Sequence, residues 1–179
     1  MTVVRPSHTY DHTSIPLPGG WTAVDRLRRG KPVVVPGDGT SLWTLTHTRD
    51  FARAFVGLLG QTRAVGQAVH ITSDEVLTWN QIAAMVARAA GAEPNIAHVA
   101  SDAIARELPD LGPGLLGDKS HSVIFDNSTI KALVPGWVAT IPYREGVREV
   151  LNWFDADASR RAVDGDTDRA FDRLVERYC

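Results

Sequence analysis

The stretch Trp43-Thr44-Leu45-Thr46-His47-Thr48-Arg49-Asp50-Phe51-Ala52-Arg53-Ala54-Phe55-Val56-Gly57-Leu58-Leu59 decides the reading of this chain. Trp43 to His47 is rich in β-branched and aromatic residues, as a strand is, while Phe51, Ala54, Phe55 and Leu58 recur at helical spacing. Asp50 stands between the two halves. A carboxylate there is expected to accept hydrogen bonds from the first helical turn and to sit at the positive end of the helix dipole. Immediately upstream, Pro32-Val33-Val34-Val35 has strand length and Pro36-Gly37-Asp38-Gly39-Thr40 is a tight turn, so residues 32 to 59 read strand, turn, strand, helix.

Outward from this unit, Met1 to Arg5 favours a strand, which Pro6 ends because it has no N–H to donate. Ser7 to His12 reads as a polar loop. Trp21, Val24 and Leu27 suit a short helix closed by Gly30. Downstream, Gln67 to Thr72 is a strand. Thr78 is the N-cap of a helix carrying Ile82, Met85, Val86 and Ala89 and stopped by Gly91. Ile96 to Ala100 reads as a strand, Ser101-Asp102 as the cap of a helix through Leu108, Leu111 to Lys119 as irregular, and Ser122 to Phe125 as a further strand. Asp126-Asn127-Ser128 caps a short helix. Pro142 introduces another, with Val147, Val150, Leu151 and Phe154 on one face. The chain divides into residues 1–154 and a charged tail, 155–179, whose Phe171, Leu174 and Val175 suggest a loosely docked helix.

Composition narrows the partners. With 44% hydrophobic and 22% charged residues in 179, the chain is ordinary globular material that buries roughly 70% of its unfolded surface. A net charge of −2 provides no field to draw nucleic acid or anionic lipid, which makes small molecules the expected ligands. The single cysteine, Cys179, rules out an internal disulfide and suggests a reducing, cytoplasmic setting. No apolar run approaches the roughly 20 residues that span a bilayer. The six histidines show no HxxxH or HExxH spacing, and no serine lies in a Gly-x-Ser-x-Gly elbow, which argues against a zinc site and a hydrolase triad.

The order Lys31-Pro32-Val33-Val34-Val35-Pro36-Gly37-Asp38-Gly39, a strand ending in His47, and Asp50 opening a helix resembles the extended short-chain dehydrogenase/reductases, the NAD-dependent epimerase/dehydratase family, in their C-terminal half. Arg5-Pro6-Ser7-His8-Thr9-Tyr10-Asp11 is similar to the family's Arg and Tyr-Gly run, with Asp11 where glycine is usual. Asp126, Lys131, Gly136, Trp137, Glu145 and Gly146 match its closing order. The resemblance covers Thr2 to Phe154. It implies an α/β fold, the C-terminal part of a Rossmann-like protein: a small substrate-binding lobe plus strands that join a parallel sheet built mainly by a nucleotide-binding half.

That half's signatures are not evident. No GxxGxxG exists, and Gly37-Asp38-Gly39 leads to a strand where the family's phosphate-holding turn leads to a helix. The family's Tyr-x-x-x-Lys pair is absent too, since Ser14 follows Tyr10 and Val147 follows Tyr143 at that spacing. The resemblance therefore implies NAD or NADP in the full-length family but none held by this chain alone. Its strands are expected to seek a missing N-terminal half or to self-associate. By resemblance, Pro6 and Ser7 lie beside the cofactor and His8 beside the substrate, with a solvated loop histidine as the plainer reading. His47 is a substrate candidate or a strand-end histidine bonded to backbone. Trp43 stands where nucleotide-sugar enzymes of the family place an arginine for the diphosphate. Tryptophan cannot make that contact, so it either faces an aromatic or apolar ligand or fills the core. Two functions follow: the substrate-binding portion of an NAD(P)-dependent oxidoreductase or epimerase, inactive alone, or a non-catalytic protein binding a ligand, a partner or RNA. Arg26, Arg28, Arg29 and Lys31 are the basic group the RNA reading would use, although a solvated helix face is the plainer account.

Overall fold

The computed structural model describes all 179 residues. Its strands are β1 (Val3–Pro6), β2 (His8–Tyr10), β3 (Val33–Pro36), β4 (Leu42–Trp43), β5 (Leu45–His47), β6 (Ala68–Ile71), β7 (Leu77–Thr78) and β8 (Ile96–Val99). Its helices are α1 (Trp21–Arg28), α2 (Thr48–Leu58), α3 (Trp79–Ala89), α4 (Ser101–Glu107), the single turn α5 (Gly112–Gly114), α6 (Ser128–Leu133), α7 (Tyr143–Asp155) and α8 (Gly165–Tyr178). β1 pairs with β6, β2 with β5 and β3 with β8, all parallel, while β4 and β7 are antiparallel.

β3 shows why an unbroken Val-Val-Val run is a strand here. Val33 and Val35 point into the main core with α1, α3 and α7, while Val34 points the other way against Val99, Ile104, Phe171 and Leu174 of β8, α4 and α8. A parallel strand covered on both faces has no polar side to alternate with. β1 and β6 are covered on one face only. Val69 and Ile71 pack on Ala54, Leu58, Ile130 and Leu133 of α2 and α6, whereas Val3 is 41% exposed. The helix caps follow sequence at α3, where the Thr78 hydroxyl accepts from the Gln81 N–H and the Gln81 side-chain oxygen accepts from the Thr78 N–H.

Five expectations are corrected. Asp50 is not the cap of α2: His47 is, its Nδ1 accepting from the Arg49 N–H at 3.1 Å, and Asp50 is buried within the first turn. The expected loop from Ser7 to His12 contains β2, because its backbone pairs with β5. Leu111 to Lys119, expected to be irregular, winds through short helical turns that begin at Pro109. Residues 122–125 form no strand; a single bond from the Val123 N–H to the Leu42 carbonyl, 3.0 Å, holds them against β4. α8 is firmly docked, with Phe171 and Leu174 fully buried.

Tyr10 lies edge-on between the rings of His47 and Tyr143, with centroids 5.2 and 5.3 Å away, and is buried beneath α7. Gly146 lets it in, since a Cβ there would stand 2.0 Å from the Tyr10 hydroxyl. Gly146→Ala is therefore expected to cost about 1–3 kcal/mol, against the roughly 1 kcal/mol an alanine ordinarily gains inside a helix. Thermal unfolding checks this. The Tyr10 hydroxyl has no hydrogen-bond partner, so Tyr10→Phe in the same background is expected to recover part of the loss.

Candidate functional site

The chain changes partners at Ser7, leaving β6 for β5, and this break sets Pro6, Ser7 and His8 along one cleft. The Ser7 and Thr46 hydroxyls are bonded at 2.8 Å across the break. His8 lies between two adjoining cavities. One, of about 440 Å³, is bounded by Pro6, Ser7, Trp43, Asp118, Lys119 and Phe125. The other, of about 290 Å³, is walled by the Ile15–Gly19 loop and by Asp110, Leu111 and Leu115. Lys119 borders both.

Trp43 reaches this cleft mainly through its neighbours. It is 6% exposed, packed at 5.4 Å against Trp79 and edge-on to His8, and its indole N–H donates to His8 Nδ1 at 3.0 Å. The Lys119 ammonium stands 5.7 Å from the Trp43 ring centroid, within cation–π range. The Lys119 carbonyl accepts from Trp79 Nε1 and Ser41 Oγ, each at 3.2 Å, which fixes the 109–119 segment over the cleft. Burial lowers the His8 pKa, the positive charge of Lys119 lowers it further, and Asp118 offsets part of this, which favours the neutral imidazole.

His47 is elsewhere. It is buried behind Tyr10, with Nδ1 occupied in capping α2 and Nε2 3.4 Å from Glu149. Burial first and Arg49 second lower its pKa, against the pull of Glu149. Of the five residues singled out in sequence, Pro6, Ser7, His8 and Trp43 meet at one cleft and His47 does not. Asp118, Lys119 and Phe125 complete it. No local signal in sequence marks them, because they arrive from a segment about 110 residues away.

The Gly-rich turns have other partners. Asn80 donates from its side chain to the Asp38 carbonyl and from its backbone to the Gly39 carbonyl, both at 3.0 Å, and a Cβ on Gly39 would meet its side chain. That turn is a latch for α3. Gly112-Pro113-Gly114-Leu115-Leu116-Gly117 has GxGxxG spacing, although the sequence reading found no phosphate-holding turn. It lies within the helical turns after α4 and lacks the preceding strand that gives such spacing a dinucleotide meaning. Arg28 and Arg29 of the basic group lie on a solvated face, as the plainer account has them, and only Arg26 is taken into the protein. Arg26 is buried and paired with Asp168 and Asp172, Arg28 with Asp155, Arg29 with Asp25 and Asp168, and Lys31 with Asp172. No set of three or more His, Cys, Asp or Glu side chains is placed to hold a metal ion, and no helix is long and apolar enough to cross a membrane.

Parallel strand pairs, the strand-to-helix unit at β5 and α2, and a cleft beside the end of β1 together define the class: this chain has the fold of the C-terminal half of an extended short-chain dehydrogenase/reductase. It superimposes on UDP-glucuronic acid 4-epimerase from Bacillus cereus, solved with UDP-glucuronic acid and NAD, with a TM-score of 0.65 and 17% identity, over 87% of this chain and 45% of that one. UDP-glucose 4-epimerase from Thermotoga maritima, solved with UDP-glucose, gives 0.63 and 17%, over 87% and 46%. In sequence the chain is 31% identical over 120 residues to the 2'-dehydrokanamycin reductase of Streptomyces kanamyceticus, covering 66% of this chain and 33% of that protein. It is 32% identical over 98 residues to the chloroplast stem-loop binding protein of 41 kDa b of Arabidopsis thaliana, covering 54% and 26%. The chain thus spans about a third or less of these curated relatives and under half of the solved structures. No family model matches it.

Proposed function

We propose that this chain is the substrate-binding portion of an NAD(P)-dependent oxidoreductase or epimerase and has no turnover by itself. The observation that carries the proposal is the cleft where Pro6, Ser7 and His8, at the end of β1, face Lys119 across a cavity large enough for a sugar ring. In this reading Pro6 and Ser7 border the nicotinamide and His8 contacts the substrate. The nicotinamide, supplied with the rest of the fold, exchanges a hydride with a hydroxyl-bearing carbon. The protein works in a reducing, cytoplasmic setting, consistent with an exposed, unpaired Cys179. The named substrates of the relatives, UDP-sugars and 2'-dehydrokanamycin, are both sugars. The cleft has no arginine at Trp43 for a diphosphate, and the cation it presents to a sugar is Lys119.

The open side of β1 is where the remainder of the sheet would join. Phe55, Leu59 and Val65 are exposed along a groove shared with Thr2 and Val4, and parallel strands are ordinarily buried on both faces. Self-association is the outcome when that cover is lacking.

Calorimetric titration tests the proposal. The purified chain is expected to show saturable binding of 2'-dehydrokanamycin or UDP-glucuronic acid and none of NAD or NADP. Tight dinucleotide binding, or binding of neither sugar, would overturn it. A second reading, a non-catalytic binding protein, draws on the likeness to the stem-loop binding protein. Weighing against RNA, all four basic side chains near α1 are paired with carboxylates.

A further inference from the structure

The Trp43–His8 contact contains more than packing. An indole nitrogen donates and never accepts, so the imidazole nitrogen facing it, Nδ1, carries no proton. The ring proton of neutral His8 is then on Nε2. That nitrogen has no protein partner and belongs to a residue lining both cavities. Lys119 borders the same two cavities, so a donor and a cation share the dividing wall.

We infer that Trp43 is a positioning residue that fixes His8 as an Nε2–H donor, and that His8 and Lys119 together form a subsite for an anionic oxygen on a sugar-sized ligand. The inference rests on the cleft being the substrate site and specifies which end of the substrate His8 receives. Its geometry assigns Trp43 an indirect role. The ring is nearly buried and cannot stack broadly on a ligand, yet its N–H determines which imidazole nitrogen is available. Burial and the Lys119 charge keep His8 from taking a second proton, which would break the bond to Trp43. Asp118 borders the same cavity and opposes Lys119, so the ligand's charge is a real test of which group dominates.

Nitrogen-15 NMR of the histidine rings in the unmodified protein reads the tautomer directly. The expected result is a protonated Nε2 and an unprotonated Nδ1 at His8. A proton on Nδ1 would overturn the role given to Trp43. In Trp43→Phe, which keeps a ring but removes the N–H, the two tautomers are expected to mix. In Trp153→Phe, whose indole packs on His12 and Phe154 and lines neither cavity, the His8 tautomer is expected to stay fixed. Identical spectra for Trp43→Phe and the parent would also overturn the proposal. Titration with glucuronate and with glucose reads the ligand class. Glucuronate is expected to move the His8 Nε2 signal and to bind about tenfold more weakly to Trp43→Phe, with glucose having little effect. An equal response to both sugars, or none, would refute the anionic subsite. These readouts need no dinucleotide, so they can fail or succeed independently of any redox activity.

Discussion

Arg26→Ala is expected to lower folding stability by about 3 kcal/mol and to loosen α8 from the rest of the protein. Arg26 is fully buried. Its Nε donates to the Pro32 carbonyl at 2.9 Å, and one terminal nitrogen serves both the Asp168 carbonyl, at 3.0 Å, and the Asp172 carboxylate, at 2.9 Å. The guanidinium also stands 5.6 Å from the Phe171 ring centroid. A single α1 side chain therefore ties α8 to the start of β3. Removing it leaves Asp168 with Arg29 alone and takes the guanidinium away from the Phe171 ring. The expected loss lies near the low end for breaking a buried ion pair, because Asp172 is 48% exposed and water can take over its charge. Arg26→Met, which fills the space without the charge, is expected to lose less. Urea unfolding followed by tryptophan fluorescence checks both, with Trp21 on the same helix as one reporter. An unchanged midpoint for Arg26→Ala would contradict the account.

Asp50→Ala is expected to cost about 2–4 kcal/mol. The Asp50 carboxylate accepts from the Thr140 and Ile141 N–H groups, each at 2.9 Å, from the Thr140 hydroxyl at 3.1 Å and from Arg53 at 2.6 Å. Its backbone carbonyl accepts from Trp137 Nε1 at 3.1 Å. It thereby closes residues 137–141 onto α2, and an alanine leaves two backbone donors unsatisfied. Asp50→Asn keeps an acceptor and is expected to fall between alanine and the parent.

This site also predicts a pH dependence. Burial raises the Asp50 pKa, but the bonds from Ile141, Thr140 and Arg53 outweigh it and hold the folded value below the ordinary 3.8. The unfolded chain therefore takes up the proton more readily. The stabilisation is complete above pH 3.8 and is lost as pH falls through the depressed folded value. Acid unfolding of the parent and Asp50→Asn is expected to converge there. His8 and His47 act at higher pH. Their folded values are also lowered, so each withdraws stability as pH falls below the ordinary 6.5 and through its folded value.

The elements legible in sequence were those with their own local physics. Val33 to Val35 has too little polarity to be anything but a covered strand, and Thr78 with Gln81 carries both halves of a capping box. Gly30 and Gly91, at φ of 73° and 74°, end helices as glycines in the left-handed region do. Where long-range pairing won, local reading failed. Ser7 to His12 has loop composition but supplies β2 because β5 lies alongside it. Asp50 has the chemistry of a cap, yet the approach of residues 140 and 141 recruits it, leaving the cap to His47. The charged tail looked weakly held because its anchor, Arg26, lies 142 residues from Asp168 in sequence.

By itself, the order of residues determined the α/β class, the strand-to-helix unit around Trp43 to Leu59, and the lack of a Tyr-x-x-x-Lys pair, since apolar period, turn chemistry and spacing are properties of short stretches of chain. Only the tertiary structure decided the cleft. His8, Trp43 and Lys119 come from β2, β4 and the turns after α4. Their contacts depend on where three distant segments stop against one another, and no local preference records that.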